Sequence, residues 1–166
     1  MDVKELLDED SFDPKKLFDE KQYGTLIINR EGFSAKQNDA ADLVYTLLDK
    51  ENSRDEKDQI YSKLKELNAG EILLDALKSC EKDDEKIKLL AACWETGIDF
   101  SNDLLVFVDF VCHQNFEIAV EALTVAENIE SLKSDVVEAA IHALESNKQG
   151  NADLKTALLT HLRNLE

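Results

Sequence analysis

The chain has 166 residues, enough for one compact domain with a sizeable core, and 43% hydrophobic content with a single proline fits a folded, mostly helical protein. Nineteen basic against thirty-six acidic residues leave a net charge of −17, which repels DNA, RNA and anionic lipid. That balance suits a basic or amphipathic protein partner, or serves solubility alone.

In chain order, residues 1–35 form a segment apart. Val3, Leu6 and Leu7 suggest a short helix, and Pro14 is well placed at a helix start with Leu17 and Phe18 on its apolar side. Thr25-Leu26-Ile27-Ile28 is β-prone and bounded by Gly24 and Gly32. The segment is either an N-terminal cap over the first repeat or a partly disordered arm, and its apolar cluster favours the cap. Met1 to Glu9 is acidic, so no signal peptide is expected, and no apolar run nears the roughly 20 residues of a membrane span.

From residue 36 to residue 166 the apolar spacing predicts eight helices in four pairs. First helices are expected over 39–50, 71–80, 103–113 and 135–147, second helices over 55–68, 84–97, 116–129 and 152–165. The first helices share a 32-residue period. Asn38, Gly70, Asn102 and Ser134 are all residue types that cap helix N-termini, and Asp39, Glu71, Asp103 and Asp135 follow as first-turn acids. Four apolar columns come next: Ala40, Ile72, Leu104, Val136; then Ala41, Leu73, Leu105, Val137; then Val44, Ala76, Val108, Ala140; and finally Leu48, Cys80, Cys112, Leu144. Among the second helices, Ile60, Tyr61 and Leu64 are predicted to face the core, as are Ile87, Leu90, Ala91 and Trp94. Ala119, Ala122, Leu123 and Ala126 follow, and then Leu154, Ala157, Leu158 and His161. The helix over 103–113 is apolar nearly all round, which predicts burial on most faces. Phe107 and Trp94 are expected in the core.

A fixed period in this range marks stacked helical units. On these columns and pairs, residues 38–165 resemble HEAT or armadillo-type α-solenoids, in particular short HEAT-like repeats of about 30 residues known from bacterial proteins. The proline and Asp/Arg signatures of eukaryotic HEAT repeats do not recur, nor do the motifs of tetratricopeptide or ankyrin repeats. The resemblance implies an all-α, right-handed α-solenoid of about four two-helix repeats, with a binding surface along the second helices.

Candidate chemistry is sparse. Cys80, Cys93 and Cys112 are 13 and 19 residues apart, without the close pairs that wrap a zinc ion, and two of them sit in an apolar column. Their odd number also argues against a disulfide framework, which together with the missing leader suggests a cytoplasmic protein. Cys112 and His113 are helix neighbours pointing about 100° apart, so they do not form a nucleophilic pair. His161 falls at a core-facing position where a hydrogen-bonded structural role is expected. No phosphate loop, nucleophile elbow, HExxH or EF-hand motif occurs. Neither catalysis nor a cofactor or metal is therefore expected.

The best binding candidate is the solvent side of the second helices. Glu117, Glu121, Thr124 and Asn128 form one polar stripe, and Glu85, Lys88, Ala92 and Glu95 the matching stripe one helix earlier. With Glu127, these acids would favour a basic peptide or helix, although charged stripes are often only solvated faces. The expected function is a non-enzymatic protein-interaction module with no nucleic-acid or membrane partner. The alternative is an accessory or regulatory subunit that assembles through the apolar ends of the solenoid.

Overall fold

The apolar spacing becomes eight helices in a computed structural model that describes residues 26–49 and 51–165. They are α1 (Ala35–Asp49), α2 (Arg54–Glu66), α3 (Gly70–Ser79), α4 (Asp83–Glu95), α5 (Leu104–His113), α6 (Phe116–Asn128), α7 (Ser134–Ser146) and α8 (Ala152–Arg163). The expectation of an all-helical chain is met, and there is no strand among the described residues. The expected short helices around Val3, Leu6, Leu7, Pro14, Leu17 and Phe18 lie outside the described residues.

The β-prone stretch at 26–28 is irregular backbone. The Tyr45 hydroxyl accepts the Ile28 N–H at 2.8 Å and donates to the Leu26 carbonyl at 3.4 Å. A side chain of α1 thus satisfies backbone groups that a strand partner would otherwise satisfy. Leu26 and Ile28 are buried in the core, and Ile27 is exposed.

Helix starts differ from the expected cap column. Asn38 lies inside α1, because Ser34 and Gln37 form a reciprocal cap four residues earlier: the Ser34 N–H donates to Gln37 Oε1 at 2.9 Å, and the Gln37 N–H donates to Ser34 Oγ at 3.3 Å. Gly70 and Ser134 are first helical residues, and α3, α5 and α7 have no side-chain cap at all. Apart from the start of α1, the side-chain caps open three of the four second helices, α4 being the exception. Ser53 makes a capping box with Glu56, Asn115 accepts the Ile118 N–H, and Asn151 accepts from Asp153 and Leu154.

The apolar columns are buried as their period requires, except that Val136 is half-buried and Leu105 is 47% exposed. Helices pack within each expected pair: α1 with α2, α3 with α4, α5 with α6, and α7 with α8. Between pairs, α1 packs on α3, α5 on α7, α4 on α6, and α6 on α8. The middle step departs from side-by-side stacking: α3 and α5 barely touch, as do α2 and α4, and Phe100 of the connection 96–103 stands between Gly70 of α3 and Phe107 of α5. Phe100 is 2% exposed and meets Phe107 edge-on at 5.6 Å between ring centroids. Its ring atoms also stand 3.5 Å from where a Cβ on Gly70 would be.

The face expected for α4 is corrected. Phe107 is fully buried, but Trp94 is 38% exposed. On α4 the buried residues are Glu85, Leu89, Leu90, Ala92 and Cys93, while Ile87 and Ala91 are half-buried. The helix is turned relative to the predicted face because it meets α1, α3 and α6 together.

Candidate functional site

The expected acidic ridge does not form on α4. Glu85 is 6% exposed, and Ala92 beside it on the same face is buried. The Glu85 carboxylate accepts the Cys80 thiol at 3.4 Å and lies 3.8 Å from Lys82 Nζ, which is how a buried acid is tolerated. Glu95 is half-buried and pairs at 2.9 Å with Arg54, whose other nitrogen meets Asp58 at 3.0 Å. Lys88 pairs with Glu51 at 3.4 Å. These charges tie α4 to α2 and its preceding loop. Beneath them the pKa of the buried Tyr61 phenol is pushed up to about 12, first by desolvation and then by the charge of Glu95.

The α6 half of the ridge does remain open. Glu117, Glu127 and Asn128 are exposed, and Glu121 and Thr124 are half-buried. Thr124 donates to the Val120 carbonyl at 3.0 Å, and the Asn128 amide donates to the Thr124 carbonyl at 2.7 Å. The two second helices are registered at their starts, where Asn115 Nδ2 donates to Asp83 Oδ2 at 2.8 Å, one full period apart.

At their other ends, α4 and α6 enclose a cleft of about 500 Å³. Trp94, Asp99, Asn128, Glu130 and Ser131 line it, with buried Cys93 and Phe100 among the lining residues. Both loops that shape it turn through left-handed backbone, at Gly97 (φ 69°) and Ser131 (φ 56°). The Asp99 carboxylate accepts the Ser101 N–H at 2.8 Å, and this hydrogen bond holds it below the usual carboxylate range. The last turns of α4 and α6 contain no basic residue, so neither helix places a cation of its own at the negative end of its dipole. Among the described residues, no lysine, arginine or histidine lines the cleft. Lys65 of α2 comes to the cleft's edge, its Nζ 3.3 Å from where a Cβ on Gly97 would stand.

Nucleophilic groups are muted. Burial pushes the Cys93 and Cys112 thiols up, and burial followed by the Glu85 hydrogen bond pushes Cys80 to about 12. All three thiols are therefore protonated near neutrality, as expected of core cysteines. His161 Nε2 is buried without a hydrogen-bond partner among the described residues, where a hydrogen-bonded role is expected of it. Its ring fills core space rather than bridging polar groups at that nitrogen.

Of the expected site residues, the structure keeps Glu117, Glu121, Thr124, Glu127 and Asn128 on one open helix side and removes Glu85, Lys88 and Glu95 from it. Sequence reasoning misses the cleft. Two signals point there: a glycine just after the α4 pattern, and two helices that end without a basic residue. No protein-family model, curated protein or solved structure matches the chain.

Proposed function

We propose that the chain is a non-enzymatic, cytoplasmic protein-interaction module, a HEAT-like right-handed α-solenoid that presents the open side of α6 and the adjoining cleft to a basic partner. The observation that carries this reading is the segregation of charge. Glu85 and Glu95 of α4 are held in pairs with Lys82 and Arg54, whereas along α6 Glu117 and Glu127 are exposed and Glu121 half-exposed, and the cleft at the end of that helix has no basic lining among the described residues. The buried 32-residue columns support the solenoid, because equivalent residues of successive units contact the same core. Complementary potential across an interface sets encounter rate and register more than raw affinity. Binding of a labelled basic peptide, followed by anisotropy, should therefore weaken steeply with salt. It should also weaken in a Glu117→Lys, Glu121→Lys variant whose circular dichroism and melting are nearly unchanged, since exposed charges add little stability. Equal affinity for the double variant would remove the α6 side from the interface.

Assembly through apolar ends is the second reading, and exposed Ile27 and Leu165 favour it. Scattered exposed apolar residues are normal on monomers, so these two rank below the charge pattern. Sedimentation that stays monomeric across a wide concentration range would exclude self-assembly by this route.

A further inference from the structure

We propose that the cleft between the C-terminal ends of α4 and α6 is a receptor for an arginine side chain of a basic peptide segment, with the Trp94 indole as its platform. The inference rests on the interaction-module reading and adds the site and the side chain it takes. A volume of about 500 Å³ is ample for one extended guanidinium side chain and its flanking backbone. Trp94 lines the cleft and is 38% exposed, so part of the indole is available to a ligand. A planar guanidinium stacks on an indole while its edge donates hydrogen bonds, which an ammonium does less well.

The electrostatics select the same ligand. The last carbonyls of a helix lack intrahelical partners, and two helices end at this cleft. Asp99 is held in its anionic form by the Ser101 N–H, and Glu130 stands at the rim. Lys65, exposed on α2, reaches the Gly97 turn at the edge of the cleft with its ammonium. Tethered outside, it is a partial competitor for a cation that enters fully.

The site contains its own probe, since Trp94 is the only tryptophan in the chain. The full chain is titrated with an end-capped oligoarginine peptide while Trp94 emission is followed, and anisotropy of a labelled copy of the peptide is read in parallel. A saturable emission change is expected at the same midpoint as the anisotropy change. Glu130→Gln, an exposed change, should weaken binding several-fold. Asp99→Asn, which keeps an oxygen for the Ser101 N–H, should do the same. Lys65→Gln should tighten binding, and an oligolysine peptide should bind more weakly than oligoarginine. If oligoarginine binds by anisotropy while Trp94 emission and the three variants are unmoved, the cleft is not the site, and the module reading survives. If oligoarginine does not bind by anisotropy even at low salt, the basic-partner reading falls and this proposal with it.

Discussion

Two aromatic residues with similar sequence surroundings differ in what they do. Phe107 is fully buried against Phe100, so truncation to Ala leaves a cavity and should cost roughly 3–5 kcal/mol in denaturant unfolding. Trp94 is 38% exposed, so Trp94→Ala should cost less than Phe107→Ala, about 1–3 kcal/mol. Equal losses would mean that the indole is packed after all. Tyr61 adds a pH signature. Its folded phenol is pushed from 10.0 up to about 12. The raised value stabilises the fold while the phenol is protonated; that contribution is complete below the unfolded value and is lost as pH rises through the folded one. Unfolding free energy should therefore fall between pH 10 and about 12, and fall less steeply in Tyr61→Phe. Cys80 acts in the same direction from 9.0 upward, so the fall should not vanish entirely in that variant.

At the scale of elements, period and pairing are legible in the sequence and helix ends are not. Apolar columns depend only on which side of a helix meets the core, and a 32-residue repeat shows that side four times over. Caps depend on the conformation of one or two residues, so Ser34 and Gln37 can take the start of α1 from Asn38 without disturbing the columns. The α4 face is illegible because spacing alone assigns an acid at position 85 to solvent. The thiol of Cys80 and the ammonium of Lys82, which make its burial tolerable, cannot be read from spacing. The cleft is hidden for a related reason, since it is built by the loops after α4 and α6 rather than by either helix.

The turns give their own tests. After α2, Asn68 adopts φ 50° in a Schellman ending, with the Ala69 N–H donating to the Leu64 carbonyl and the Asn68 N–H to that of Lys65. Asn68→Val should cost about 1–3 kcal/mol, the usual penalty for a β-branched residue held there. Gly150 has φ 88° and lies so close to α5 that an added Cβ would stand 2.7 Å from the Cys112 carbonyl oxygen. Gly150→Ala should cost more than about 1 kcal/mol, and a neutral result in thermal unfolding would show that the loop can shift away.

The whole molecule is an acidic body whose self-repulsion opposes its own compact state. With a net charge of −17, melting temperature should rise with salt as the screening length shrinks from about 30 Å at 0.01 M to about 8 Å at 0.15 M. Partner binding should respond to the same salt in the opposite sense, because attraction across an interface is screened as well. The most direct measurement is residue-resolved amide NMR of the full chain at low salt, with a basic peptide added stepwise. Shifts concentrated at Trp94, Asp99, Asn128 and Glu130, and along α6 through Glu117 and Glu121, are the expected result. Shifts confined to the regions of Ile27 and Leu165, or none at saturating peptide, would contradict an acidic docking face at α6 and its cleft.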